Sequence, residues 1–223
     1  MLPVPLIFTS SWASGINSYA VVLLLGLYGR FGHVAQVPPL LEKPGVLAAA
    51  ALGFAGQFLA GKIPYLDSVW DLVHTAIRPV MAGAVATLMA HHVHSSPAMT
   101  VAAALLGGGT ALASHGVKTG VRMGINVSPE PVSTIAASLA EDLGVTGIMA
   151  FAVFHPLPAA IIAACLLTAG IALVILLASR IRRARRRRRE RRQAARAERA
   201  EPGRPAPRPD PVTELNQPPT KSQ

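Results

Sequence analysis

The sequence PAAIIAACLLTAGIALVILLASRIRRARRRRRERR, residues 158–192, decides the class of fold. Residues 158–178 contain no side chain more polar than Thr168, and a helix of about 20 such residues spans the hydrocarbon core of a bilayer. The arginines that follow at once end the span at the membrane surface, and clusters of this kind mark the cytoplasmic side. The stretch therefore predicts a transmembrane helix followed by a cytoplasmic C-terminal tail.

The distribution of charge indicates that the rest of the chain is also a membrane protein. Of the 21 Lys and Arg, 15 lie in residues 180–223 with five of the 11 Asp and Glu, so this tail carries the whole formal net charge of +10. The preceding 179 residues hold six basic and six acidic side chains. Charged residues make up 14% of the chain, against about 25% in soluble domains. The body has too few charges to coat a soluble surface, and the basic tail is no sign of a nucleic-acid-binding fold.

Apolar segments divide this body into helices. We predict an all-α fold, a polytopic transmembrane helix bundle of about six spans with a basic cytoplasmic C-terminal tail. The second span is short enough to be a half-span. We divide the chain into a transmembrane domain at residues 10–179, an arginine-rich juxtamembrane helix at 180–200 and a disordered proline-rich tail at 201–223. The predicted spans are residues 12–28, 45–60, 74–93, 98–117, 132–154 and 158–179.

Basic residues near the helix ends predict the orientation. With the arginine cluster in the cytoplasm, the connection that holds Lys62 and the one that holds Lys118 and Arg122 are also cytoplasmic. Arg30 and Lys43 then fall on the opposite side, in conflict with the rule. Six spans with both termini inside is the prediction, and five spans with an external N-terminus is the alternative. The expected location is a cell membrane, the inner or plasma membrane.

Small and aromatic residues predict how the spans pack. The glycines at 107–109, and those at 116, 120 and 124, allow helix backbones to approach closely in lipid or mark hinges around a site. Cys165 is the one cysteine, which excludes an intramolecular disulfide and predicts a buried packing residue. Aromatic residues suited to belts at the membrane surface are Trp12, Tyr19, Tyr65 and Trp70.

Polar side chains within the predicted bundle form three helical stripes. Charges inside a membrane are costly, so each is a candidate for function, and spacings of three or four residues place side chains on one helix face. The stripes are Asp67, Asp71, His74 and Arg78; His115, Lys118, Arg122 and Asn126; and Thr134, Ser138 and Glu141, with Asp142 adjacent.

The acidic and basic stripes are expected to face each other. Burying opposite charges together avoids the several kcal/mol that each isolated ion costs. Three interpretations stay open: an ion-paired interior that fixes helix register, a polar pathway or ligand site, and charges that reach the membrane surface. We expect at least one of the cations Lys118 and Arg122 to contact a carboxylate, and the candidates are Asp67, Asp71, Glu141 and Asp142.

Three separate motifs are similar to a known family: SGINSYAVVLLLGL at residues 14–27, KIPYLDSVWDLVHTAIRP at 62–79, and HGVKTGVRMGINVSPEP followed by SLAED at 115–142. They resemble domain-of-unknown-function family 4126, small multi-pass membrane proteins of bacteria and plants, over residues 10–154. The resemblance implies the polytopic architecture and brings no established activity. Members often carry an acidic residue and an Asp-Lys pair where this chain has Gln57 and Gly61-Lys62, which implies a reduced ionic network here.

The leading functional hypothesis is a small transporter or channel-like protein with an intramembrane polar site and no cofactor or metal. The first alternative is a membrane-embedded enzyme in which Asp67 and Asp71 hold a divalent metal against a lipid phosphate. The second is a non-catalytic scaffold. The chain has no phosphate-binding loop, GxSxG elbow or zinc-type spacing, which favours the transporter over the enzyme. The candidate ligand or ion-pathway residues are Asn17, Lys62, Asp67, Asp71, His74, Arg78, Lys118, Arg122, Asn126, Ser138, Glu141 and Asp142.

The predicted partners follow from the spans and the tail. The lipid bilayer surrounds the body, and anionic lipids attract the arginine-rich tail. A homo-oligomer is left open. Residues 180–223 contain no aromatic side chain that would stack on bases, so no specific nucleic-acid partner is expected.

Overall fold

The computed structural model describes residues 3–63, 66–125 and 131–200. Every regular element in these ranges is an α-helix, so the predicted all-α bundle is confirmed. Four of the helices begin at a proline, whose fixed φ suits the first helical turn and whose missing N–H is not needed there. The helices are α1 (Val4–Gly32), α2 (Pro44–Ala60), α3 (Leu66–His92), α4 (Pro97–Ile125), α5 (Pro131–Phe154) and α6 (Pro156–Ala200).

Five of these helices, all except α2, are long and apolar enough to cross a membrane. Helix α2 has 17 residues and corresponds to the short second span of the prediction. Helices α3 and α4 are longer than the predicted spans because hydropathy alone ends a span at charged residues. The turns that carry Asp71, Lys118 and Arg122 are helical and continue those spans.

The first of the chain's two compact units, Met1–Leu177, buries polar and charged side chains together with its hydrophobic core and exposes many large apolar side chains. Helix α1 lies at its centre, packed by α2, α3, α4 and α5. Large aliphatic side chains such as Leu72 and Leu143 are exposed, whereas Arg78 is fully buried. Such a distribution suits hydrocarbon as the surrounding solvent. Cys165, expected to be buried, is exposed. Most of the apolar stretch of α6 that surrounds it is not covered by other parts of the protein.

The close contact between α3 and α4 depends on glycine, as the sequence predicts. A Cβ on Gly107 would lie 2.9 Å from the carbonyl oxygen of Ala82, and one on Gly108 would lie 3.2 Å from that of Pro79. The two backbones therefore touch, which is the packing that small residues allow in lipid. Gly109 next to them faces open space.

The second unit, Ala178–Gln223, is described as far as Ala200 and is helical over that part. Its arginines are exposed as far as Arg192. The Nε of Arg186 donates to Oε1 of Glu190 at 2.8 Å, one helical turn further along. Residues 201–223, which were predicted to be disordered, lie outside the described residues.

Candidate functional site

Helix α1 is broken at its middle. Asn17 has φ −149° and ψ 92°, an extended conformation inside a 29-residue helix. Its Oδ1 accepts a hydrogen bond from the backbone N–H of Ala20 at 3.0 Å. This is the bond that an N-cap residue makes to the third residue of a helix, so Asn17 ends one half of α1 and begins the next.

The break leaves backbone carbonyls that need hydrogen-bond donors from other helices, because a membrane offers no water to bond them. Arg78 Nη1 donates to the carbonyl of Gly15 at 3.2 Å. Lys118 Nζ and Gln57 Nε2 both donate to the carbonyl of Ile16, at 3.3 Å and 3.1 Å. Two cations therefore meet the negative, C-terminal end of the first half-helix, where positive charge is favoured.

The same cations belong to a chain of ion pairs across α3, α4 and α5. Asp71 Oδ1 lies 2.8 Å from Arg78 Nη2 and 3.4 Å from Lys118 Nζ. Lys118 Nζ lies 3.2 Å from Glu141 Oε2. Arg122 binds Glu141 with two nitrogens, at 2.9 Å and 3.1 Å. The predicted contact between the basic stripe and the carboxylates is confirmed, and both predicted cations take part.

The ion-pair chain is deeply buried. Arg78 is 0%, Arg122 3% and Lys118 8% exposed. Taking one such ion out of water costs several kcal/mol unless a partner and further hydrogen bonds compensate. Lys118 has three acceptors for its three N–H groups: the carboxylates of Asp71 and Glu141 and a backbone carbonyl at the break.

His115 on α4 belongs to a ring of hydrogen bonds with three residues of α3. Arg78 Nη1 contacts His115 Nδ1, and since a guanidinium only donates, Nδ1 accepts. The other ring nitrogen, Nε2, is then the donor to Thr75 Oγ1 at 3.0 Å. The Thr75 hydroxyl donates to the carbonyl of Asp71 at 2.9 Å. The ring closes at the Asp71–Arg78 pair, so it fixes the tautomer of His115 and the orientation of the guanidinium.

His74 lies in a separate aromatic cluster. Its Nδ1 lies 2.8 Å from the carbonyl of Trp70 and donates to it, since a carbonyl only accepts. In the neutral imidazole, Nε2 accepts from the Tyr19 hydroxyl at 3.0 Å, and the ring stacks on Trp70 with 4.6 Å between centroids. Of the aromatic residues predicted to form belts at the membrane surface, Tyr19 contacts His74 and Trp12 is buried within the bundle.

Asp142 lies at the N-terminal end of the second half of α1, on the opposite side of the break from the freed carbonyls. Asn17 Nδ2 donates to Asp142 Oδ1 at 3.1 Å, so one side chain joins the carboxylate to the first turn of the second half-helix. Negative charge is favoured at the N-terminus of a helix. The other carboxylate oxygen, Oδ2, is buried and has no hydrogen-bond donor in the part of the chain that the structure describes.

The remaining predicted residues lie at the edge of this arrangement or outside the described residues. Lys62 donates to the carbonyl of Phe58 at 3.1 Å and lies 3.0 Å from the centroid of the Phe58 ring. Ser138 is buried, and a Cβ on Gly61 would lie 2.7 Å from its Oγ. Asn126, and the side chains of Asp67 and Thr134, lie outside the described residues.

A cavity of about 190 Å³ adjoins the ion-pair chain. It lies between α1, α4, α5 and α6, and its polar lining comes from Ser114, Lys118 and Glu141. Trp12 and Leu166 contribute to its apolar walls. A space of this size with polar groups on one wall has room for several water molecules or a small solute.

Sequence reasoning missed the break and the neutral groups that support it. Tyr19, Gln57, Thr75 and Ser114 were not site candidates, yet three of them bond to site residues or to the carbonyls of the break. Ser114 Oγ donates to the carbonyl of Trp12 at 2.8 Å. The available signal was Asn17, an N-cap residue inside an apolar helix.

These features define a helical membrane protein with a broken central helix and a buried chain of ion pairs. The family model that matches is a domain of unknown function (DUF4126), over residues 4–175. The chain belongs to this family, as its three motifs had indicated. Comparison with curated proteins and with solved structures found no match.

Proposed function

We propose that the protein is a small transporter that binds an anionic solute beside the break in α1. The observation that supports this most strongly is the break itself, with two buried cations and an amide on its carbonyls. Irregular backbone at membrane depth is tolerated where it is buried in protein or lines a cavity, and discontinuous helices form the binding sites of many transporters.

Charge and space beside the break favour an anion. Of the described ions in the chain of pairs, Arg78, Lys118 and Arg122 are positive, whereas Asp71 and Glu141 are negative. Lys118 also lines the cavity, so its ammonium group is the cation that a solute reaches. A small carboxylate, phosphate or halide offers the acceptor oxygens or the charge that would replace one of its protein partners.

Gln57 provides a polar group for a bound water molecule at the break. Its amide nitrogen donates to the carbonyl of Ile16, while its Oε1 is buried and finds no donor among the described residues. A buried acceptor without a donor costs free energy. A water molecule that donates to Oε1 would remove that cost.

Lys118→Met is expected to lower the apparent affinity for the transported anion by about tenfold or more, because one charge-assisted hydrogen bond contributes about 1.5–3 kcal/mol. The test is uptake of acetate, inorganic phosphate or chloride into proteoliposomes that contain the purified full chain. Lys43→Met is the matched control, since Lys43 is exposed in the connection before α2.

Before the uptake assay, size-exclusion chromatography checks that both variants elute as a single folded species at the position of wild type. Saturable uptake of one probe by wild type, weakened by Lys118→Met and retained by Lys43→Met, supports the proposal. Absence of saturable uptake for all three probes in correctly inserted protein would overturn it.

A non-catalytic scaffold is the second candidate, and the pairing of every carboxylate in the ion-pair chain favours it. Asp71 and Glu141 each bind two cations, which is the arrangement of an interior that fixes helix register. The metal-dependent enzyme receives less support, because Asp71 is already held by Arg78 and Lys118. Among the described residues, no group of three or more His, Cys, Asp or Glu is placed to hold a metal ion.

For the tail, we infer a cytoplasmic position and binding to anionic lipid. Its exposed arginines, such as Arg186 and Arg189, follow the apolar part of α6 directly. Each basic residue beside an anionic membrane surface gains about 1 kcal/mol.

Deletion of residues 182–223 is expected to give a mixed population of orientations, because the strongest positive-inside signal is then lost. The measurement is the fraction of molecules whose C-terminal reporter is active on the cytoplasmic side. A second variant keeps the length of the tail and replaces the arginines at 182–192 by glutamine, which separates charge from length. A single unchanged orientation in both variants, or sequence-selective nucleic-acid binding by the full chain, would contradict this assignment.

A further inference from the structure

Asp142 lies near the middle of the 24-residue helix α5. Its carboxylate is held differently from the other two described carboxylates of the site. Asp71 and Glu141 each bind two cations directly. Asp142 accepts one hydrogen bond, from the neutral amide of Asn17, and its Oδ2 is buried with no donor among the described residues.

We propose that Asp142 is a proton-binding group, which takes up one proton on Oδ2 and is the coupling carboxyl of the transporter. An ionised carboxylate has four lone-pair sites to satisfy, whereas the acid form turns one oxygen into a donor. Proton uptake therefore removes the negative charge, which is the larger part of the cost of placing this carboxyl away from water. The proton comes from water on one side of the membrane and leaves to water on the other.

The charged groups around Asp142 leave both of its states accessible. Those that act on it electrostatically are Lys62 after α2, Lys118 on α4 and Glu141 beside it on α5. Lys62 bonds to Phe58, and Lys118 has two other carboxylates within 3.4 Å. Helix α1, packed against α5, presents the neutral Asn17. Within the described ranges, neither Lys62 nor Lys118 forms an ion pair with Asp142 of the kind that Arg122 forms with Glu141.

Asn17 transmits the protonation state to the break. The same amide donates to Asp142 through Nδ2 and caps the second half of α1 through Oδ1. A hydrogen bond to an ionised acceptor is roughly twice as strong as one to a neutral acceptor. Protonation of Asp142 therefore loosens the amide that fixes the break, and deprotonation tightens it. Through the break, the protonation state of Asp142 can affect Arg78 and Lys118, which donate to the carbonyls of Gly15 and Ile16, and Lys118 is the cation that the anion is proposed to reach.

The direct test is infrared difference spectroscopy of the full chain in lipid vesicles between mildly acidic and mildly alkaline buffer. A titrating carboxylic-acid carbonyl band is expected, absent in Asp142→Asn and retained in Glu141→Gln. Glu141 is the matched control because it is the neighbouring carboxylate and is held by Arg122 and Lys118. Asn17→Ala is expected to shift the band, since it removes the hydrogen bond to Oδ1.

A second measurement covers the case in which Asp142→Asn does not fold. Dicyclohexylcarbodiimide, which reacts with protonated carboxyls in apolar surroundings, is added to wild-type protein and the modified peptide is identified by mass. Modification of Asp142 that increases at acidic pH supports the proposal. Modification confined to other carboxyls, with no band that depends on Asp142, would overturn it.

Only the coupling clause of this inference rests on the proposed function. If the band depends on Asp142 and no solute is taken up, the transporter proposal fails and the proton-binding group stands. If saturable uptake occurs without a band or a carbodiimide product at Asp142, this inference fails alone. Coupling itself predicts that uptake by wild type changes the luminal pH and that Asp142→Asn moves solute without a pH change.

Discussion

Arg78→Ala is expected to lower the free energy of unfolding by about 3–5 kcal/mol, the cost of removing one partner from a buried ion pair. Arg78 is 0% exposed, and its guanidinium holds Asp71, the carbonyl of Gly15 and the ring of His115. The substitution leaves all three without this donor. Unfolding is followed by the fluorescence of Trp12 and Trp70 as denaturing detergent is added to protein in mixed micelles.

Arg186→Ala is the matched control for this substitution. Arg186 also pairs with a carboxylate at 2.8 Å, but its side chain is 84% exposed. An exposed i,i+4 pair contributes at most about 0.5 kcal/mol, so the unfolding midpoint should not move measurably. Equal destabilisation by the two substitutions would show that burial of Arg78 does not determine the effect.

Pairing also predicts an order among the buried cations. Lys118→Ala should destabilise the protein less than Arg78→Ala. After Lys118 is removed, Asp71 is still paired with Arg78 and Glu141 is still paired with Arg122. The double substitution Arg78→Ala with Asp71→Ala should cost less than the sum of the two single substitutions, since neither charge is then left alone. Additive effects would mean that the two side chains do not interact.

The chain of ion pairs was predictable from the sequence. Spacing along each helix shows which charges share a face, and the cost of burying a single charge requires that opposite charges pair. Asp71 and Arg78 are two turns apart on α3, and Lys118 and Arg122 are one turn apart on α4. A neutral body with few charges has to pair them. The particular partners were not predictable, since spacing along one helix carries no information about which neighbouring helix faces it.

The break in α1 was not predicted, although its residues were quoted in a motif. Asn17 lies among other small polar residues, with Ser14 and Ser18 on either side, and the hydropathy of the run gives no sign of an interruption. A broken helix needs donors for its freed carbonyls, and these come from Gln57, Arg78 and Lys118, far away in the sequence. The local signal for a break is therefore weak, because apart from the cap by Asn17 the groups that stabilise it come from other helices.

Gly15 is expected to be the glycine that least tolerates a side chain. A Cβ at this position would overlap Ser114 Oγ and the carbonyl oxygen of Ala111, and would lie 2.9 Å from the backbone nitrogen of His115. Two of these atoms are backbone of α4, which a rotamer change does not move. Gly15→Ala therefore requires α1 and α4 to separate at the break.

That separation also lengthens the hydrogen bonds that α4 makes to α1, from Lys118 to the carbonyl of Ile16 at 3.3 Å and from Ser114 to the carbonyl of Trp12 at 2.8 Å. Overpacking alone costs about 1–3 kcal/mol, and the weakened bonds add to it, so Gly15→Val should leave little folded protein. Gly109→Ala is the control, because nothing lies within 4 Å of its Cβ position and alanine favours a helix by about 1 kcal/mol over glycine. The yield of monodisperse protein after detergent extraction measures both. If Gly15→Ala and Gly109→Ala behave alike, α1 and α4 do not make the backbone contact that holds the break in place.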